Sequence, residues 1–342
     1  MNGITTEWNS FLDSFAPEQK DIYYREEYVR LYESETESAV SFVYAKDGKV
    51  FLLPFLRRSF EFHGRKLYDF ETAYGYGGPI FNTNDEVFIH EAWSEFISYA
   101  RSNDYVCGFV RFHPLLCNYD CFESFGKLYH DRKTIAIDLS SGLESAWKNE
   151  IHTKNRNVIK KGERAGLKFV VDGSFEHIED FKHLYCSTMD KLEADDFYYF
   201  DDSYYESLKN NIGNSFLGLV ENEGTFVAAA IFFYSQPYGH YHLAGSDKSS
   251  LALSPNNFLL WNAACELESR GVKYFHLGGG TDGNEENSLF QYKRKFSKNE
   301  YQFCFGKLKF NETLYDEICA EWEAANPEKA VKMNKVLLKY KY

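Results

Sequence analysis

Leu277-Gly278-Gly279-Gly280-Thr281-Asp282-Gly283 and, close behind it, Ser288-Leu289-Phe290-Gln291-Tyr292-Lys293-Arg294-Lys295-Phe296 form the stretch whose reading decides the fold. The apolar run 274–277 ends in glycines, a short polar turn follows, and a basic amphipathic segment begins. A strand therefore opens onto a helix through a loop that exposes its backbone. Such a loop suits an acyl or phosphate group; the bland alternative is a strand-exit turn. Gly278, Gly280 and Gly283 also fit the spacing of a dinucleotide fingerprint, but that fold places the loop after its first strand and needs several βα units beyond it. Too little chain follows Gly283 for this, so the match is accidental.

At 342 residues the chain exceeds one ordinary domain and suits two. The 44 % hydrophobic and 18 % aromatic content supplies two cores and leaves aromatics over for concave surfaces. No apolar run approaches the roughly 20 residues of a membrane span, and residues 1–8 carry neither a basic region nor an apolar signal core; a cytoplasmic protein without a membrane span is expected. The seven cysteines form no C-x-x-C pair and read as reduced, mostly buried thiols. His240 and His242 lack further ligands at recognisable spacing, so no metal site is expected.

A net charge of −13 argues against DNA as a partner. Locally the balance reverses. Between 148 and 168 there are seven cations against two acids, and between 293 and 298 four cations without an acid. In an acidic chain these islands are candidate sites for an anionic ligand, phosphate above all, or else solvated helix faces.

The organisation reads as an internal duplication. The segment 41–56 is two apolar strands joined at Asp47-Gly48, and 216–233 repeats the pattern around Glu223-Gly224. Each hairpin is followed by an aromatic-glycine segment (74–79 and 240–245), a helix, and a short apolar strand (105–112 and 274–277). The join is expected near 138–142, dividing the chain into 1–140 and 141–342, the second part ending in a basic helical tail.

These residues carry a resemblance. The segment 151–315 resembles the FemAB-type branch of the GNAT acyltransferase superfamily, including BioF2-like acetyltransferases. The resemblance rests on Lys154-Asn155-Arg156-Asn157-Val158-Ile159-Lys160-Lys161, Phe197-Tyr198-Tyr199-Phe200, the Gly224 hairpin, Ser254-Pro255-Asn256-Asn257, and the glycine loop with its basic sequel. Tyr74-Gly75-Tyr76-Gly77-Gly78-Pro79 resembles the family's aromatic-glycine segment. The resemblance implies a mixed α/β fold of two tandem GNAT-like domains with the active site in the second. It implies direct acyl or aminoacyl transfer to an amine of a cell-envelope precursor, a phosphate-bearing amino sugar, sugar nucleotide or muropeptide. The donor is a co-substrate and not a tightly bound cofactor: acyl-CoA, favoured here, or aminoacyl-tRNA. The sequence shows no long coiled-coil insertion and lacks the R/Q-x-x-G-x-G/A loop of ordinary GNAT enzymes. The competing class is a non-catalytic glycan- or partner-binding module on a degenerate GNAT pair.

Amine acylation needs a neutral amine, a positioned carbonyl and donors for the tetrahedral oxyanion. Backbone N–H groups at Gly278, Gly279 and Gly280 are candidate donors. By the resemblance, Lys293, paired with Tyr292, is the catalytic candidate, as oxyanion stabiliser or as clamp on a carboxylate or phosphate. Asp282 is the candidate base, with Glu285 and Glu286 beside it. By the same resemblance, Arg156 contacts acceptor phosphates with help from Lys154 and Lys160. Tyr76, Tyr199 and Tyr241 are candidates for stacking on a sugar, against the alternative of half-buried core. No Ser-His-Asp or Cys-His arrangement suggests an acyl-enzyme.

Overall fold

A computed structural model describes residues 2–342, with Met1 outside the described residues. It divides into two compact units, residues 2–131 with Gln302–Tyr342, and Arg132–Tyr301.

The first unit is a sheet of β1 (Asn2–Thr5), β2 (Glu37–Lys46), β3 (Lys49–Phe62), β4 (Arg65–Glu71), with the short β5 (Ile80–Phe81) on β3, then β6 (Tyr105–Arg111). The strand Glu300–Lys309, β13 in chain order, lies beside β6. β1 to β4 are antiparallel, β4 and β6 parallel, β6 and β13 antiparallel. The crossover helix Glu86–Ser102 starts where Asp85 accepts from Val87 N at 3.0 Å and Phe88 N at 3.3 Å. Its apolar stripe, with Trp93 and Phe96 fully buried, packs on Phe42, Phe51, Phe55 and Phe70. A second buried cluster joins Tyr315, Ile318 and Cys319 of the helix Glu312–Ala325 to Leu67, Val106 and Cys107.

The second unit repeats this order. Its strands are β7 (Lys127–Asp138), β8 (Lys168–Asp172), β9 (Ser215–Asn222), β10 (Thr225–Ser235), β11 (Tyr238–Ser246) and β12 (Tyr274–Gly279). β8 to β11 are antiparallel, β11 and β12 parallel, β12 and β7 antiparallel. The run from Val227 to Phe233 in β10 is buried throughout, as a strand covered on both faces must be. The turns Asp47-Gly48 and Glu223-Gly224 both hold positive φ at each residue, 51° and 77° in one, 50° and 82° in the other, which matches the twist of a two-residue hairpin.

The duplication is thus a match of topology, strand for strand. Four readings change. The boundary falls at 131/132 and the chain returns to the first unit at 302, because each unit's last strand comes from the far side of the boundary: β7 pairs with β12, and β13 with β6. The tail belongs to the first unit as well. Leu337 and Leu338 are buried there, and Lys341 bonds Glu37 and Glu71 at 2.8 Å each. The two aromatic-glycine segments are not equivalent either, since 240–245 lies inside β11 whereas 74–79 follows β4 as a loop. Of the cysteines only Cys107, Cys304 and Cys319 are buried, and Cys117 and Cys186 are exposed.

Candidate functional site

The parallel pair β11/β12 comes apart. Its register holds only from Tyr238 opposite Tyr274 to His240 opposite His276, although β11 runs on to Ser246 and β12 to Gly279. Both strands are bulged at the point of parting: β11 between the partners of Ala230 and Phe232, β12 between His276 and Gly278. Bulges bend a strand and re-aim its side chains, and here they leave a fork with Tyr241 on one arm and the glycine loop on the other.

Lys293 fills the fork. It closes the short helix Ser288–Lys293, whose start is fixed by Asn287, accepting from Leu289 N at 3.1 Å and Phe290 N at 3.3 Å. The Lys293 side chain is only 7 % exposed; Nζ donates to Gly279 O at 2.7 Å and sits 5.9 Å from the centre of the Tyr241 ring. It makes no ion pair with a carboxylate among the described residues. Burial, and next the charge of Arg132, pull its ammonium from the ordinary lysine range down to about 7. Burial also pushes the hydroxyls of Tyr241 and Tyr292 up, and the Tyr292 Oη is enclosed with no hydrogen-bond partner.

The glycine loop is held from its other side by β7. Arg132 donates through Nη1 to Gly280 O at 3.0 Å. A Cβ on Gly279 would stand 2.7 Å from Lys133 O and 3.2 Å from the Arg132 Cδ; on Gly280 it would stand 2.7 Å from Asn287 Oδ1. Gly278 takes φ +77° at the bulge. Each glycine therefore answers a specific approach or turn. Lys133 pairs with Glu285 at 2.7 Å and Glu300 at 3.0 Å, so Glu285 of the loop has its partner away from Lys293.

Of the residues singled out in the sequence, Lys293, Tyr292, Tyr241, Gly278, Gly279 and Gly280 come together here. The others do not. Asp282 is exposed, and its Oδ1 accepts from Asn284 N at 2.9 Å, which makes it a turn former. Arg156, on the helix Thr153–Arg164, spends its guanidinium locally, on Trp147 O at 2.9 Å, Lys148 O at 2.8 Å and Thr153 Oγ1 at 3.0 Å. Lys154 and Lys160 are exposed, with the Lys160 Nζ 5.8 Å from the Trp147 ring. Tyr199 donates to Asp190 at 2.8 Å on the surface. Tyr76 belongs to the first unit, edge-on to Tyr23 and His113 at 5.4 and 5.8 Å. The sequence reading missed Arg132, because only the pairing of β7 with β12 brings it to a loop 148 positions away. It also missed Asn155, which is buried; its Nδ2 bonds Lys295 O at 3.3 Å and its Oδ1 accepts from Asn257 at 2.6 Å.

The first unit has the same parallel pair without the fork. There β4 and β6, shifted in register between Tyr68 and Phe70, stay paired to Glu71 and Phe109, and Arg111 closes the end by donating to Thr72 O at 2.6 Å and to Glu71 at 3.0 Å. The opening with a lone buried cation is a feature of the second unit.

The forked unit contains the segment 151–294, which matches the family model of the acetyltransferase (GNAT) domain. By class, residues 151–294 are a GNAT-type acetyltransferase domain, and the chain as a whole shares the fold of two-unit structures of that kind. Among solved structures it is similar to FemX, at 12 % identity and TM-score 0.71 over 92 % of this chain and 99 % of that one. It is also similar to the C-terminal domain of a putative lysylphosphatidylglycerol synthetase from Agrobacterium fabrum, at 16 % identity and TM-score 0.54, over 84 % and 88 % of the two chains. A tandem GNAT protein from the clavulanic acid pathway matches at 9 % identity and TM-score 0.50, again over 84 % and 88 %. No curated protein matches the sequence. None of the helices in the described residues is long and apolar enough to cross a membrane.

Proposed function

We propose that the second unit transfers an acyl or aminoacyl group directly onto an amine of a cytoplasmic cell-envelope precursor, an amino sugar, sugar nucleotide or muropeptide, with the reacting carbonyl in the fork between β11 and β12. The observation that carries this reading is the Lys293 amino group, buried against Gly279 O and Tyr241 with no carboxylate partner among the described residues. A buried cation is costly unless an anion or a developing negative charge meets it, and the oxyanion of a tetrahedral intermediate is such a charge. The enclosed Tyr292 Oη offers a second polar contact to a bound substrate.

The donor is proposed to be an acyl-CoA. The helix Pro255–Ser269 begins beyond β11 with no side-chain cap at Ser254 and no acid in its first turn, whereas the corresponding helix Glu86–Ser102 is capped by Asp85 and begins with Glu86. Only the former suits the phosphates of a nucleotide donor. The acceptor's phosphate is not assigned to Arg156, whose guanidinium is anchored by three local hydrogen bonds.

The test is to incubate the full chain with radiolabelled acetyl-CoA and an amino-sugar nucleotide, and separately with a charged tRNA and the same acceptor, and to follow label into the amine. An acceptor-dependent N-acyl product from acetyl-CoA, without label on denatured protein, is expected. Acceptor binding with no transfer from either donor would contradict the reading.

A further inference from the structure

Amine acylation moves a proton as well as an acyl group, and Asp282, turned into its own loop, does not reach the fork. We propose that Lys293 is the group that takes and returns this proton, and that Arg132 is the positioning residue that keeps Lys293 free to take it; the proposal rests on the acyltransferase reading of the same site. The argument is geometric. Two cations from different strands and helices hold consecutive carbonyls of one loop, Lys293 on Gly279 O at 2.7 Å and Arg132 on Gly280 O at 3.0 Å. The Arg132 stem lies against Gly279, close enough that a Cβ there would meet its Cδ at 3.2 Å. The charge that bears on Lys293 is that of Arg132 from β7, the Tyr241 ring of β11 lies 5.9 Å from its Nζ, Tyr292 adjoins it on its own helix, and it has no carboxylate partner among the described residues. Desolvation and a neighbouring like charge both disfavour an ammonium, and nothing in the fork restores it. The group then ionises near neutrality, at about 7, where one side chain serves both as acceptor and as donor of a proton.

In the step, the lone pair of the acceptor amine forms the new N–C bond to the acyl carbonyl while an N–H bond breaks and its proton passes to the neutral Nζ. The tetrahedral carbon re-forms its carbonyl as the bond to the leaving sulfur or oxygen breaks with its electron pair. That atom takes the proton back from the Lys293 ammonium. Amine and acyl donor become amide and protonated leaving group, and Lys293 ends neutral, as it began.

Carbon-13-labelled lysine in the full-length protein, titrated by NMR, reads this without any substrate, the Lys293 signal being the one missing in Lys293→Met. The wild-type midpoint is expected near 7. Arg132→Met, which keeps the stem on Gly279 and removes the charge, should move it up by about one pH unit, and Arg132→Lys should return it. The transfer rate from acetyl-CoA should fall on the acid side with the same midpoints. A wild-type midpoint above about 9, or one indifferent to Arg132→Met, overturns the proposal, and the wild-type value decides alone if the variant does not fold. An ordinary midpoint with active transfer removes the proton role only, whereas absence of transfer from either donor removes the reading beneath it.

Discussion

Lys293 concentrates the physics of the site. A buried ammonium without a carboxylate partner destabilises the fold, so Lys293→Met, which keeps the apolar stem, should raise the melting temperature. The sign follows from linkage. With the folded-state value near 7 and the unfolded value near an ordinary lysine's, about 10.4, only the unfolded chain holds the proton between those limits. Wild-type stability therefore rises with pH through this window, and below it the full penalty applies. The advantage of the Met variant should be largest below pH 7 and shrink toward pH 10, measured by thermal melts across that range. An advantage that does not vary with pH would mean that Lys293 is charged in the folded state throughout.

Elements are where the sequence was most and least informative. Both hairpins, the Pro255 helix and the strand entering the glycine loop were legible because their turn residues and apolar runs are local signals. The fork was not, since a bulge depends on which neighbour each strand pairs with. The basic helix Thr153–Arg164 was read for its charge, yet Arg156 ties down the carbonyls of the preceding turn, a role that charge counting does not reveal. Arg156→Ala should accordingly cost about 1 kcal/mol of stability and leave the Michaelis constant of a phosphate-bearing acceptor unchanged, as denaturant melts and steady-state kinetics would show. A larger demand falls on Gly245, where a Cβ would stand 2.3 Å from the backbone of Leu184 on the helix Ile178–Leu192. Gly245→Ala should destabilise by about 3 kcal/mol as that helix is lifted from β11; a change within 0.5 kcal/mol, roughly the range of a neutral surface substitution, would contradict the packing.

For the whole molecule, a repeat of 41–56 at 216–233 was visible, but the exchange of last strands was not, because nothing local marks which sheet a strand will join. A fragment cut by the sequence boundary, 141–342, lacks the β7 strand of its own unit and carries the β13 strand of the other. It should not melt cooperatively, whereas 132–301 should; calorimetry on the two fragments distinguishes these outcomes. The central claim is that the forked second unit performs acyl transfer through Lys293. Its most direct test is turnover of wild type and Lys293→Met with a verified donor and acceptor, each sample checked by its melt. The account predicts a fall of about 10²-fold or more in a protein at least as stable as wild type, with poor rescue by arginine, whose planar fork places its charge differently. Near-normal turnover in the Met variant would contradict it.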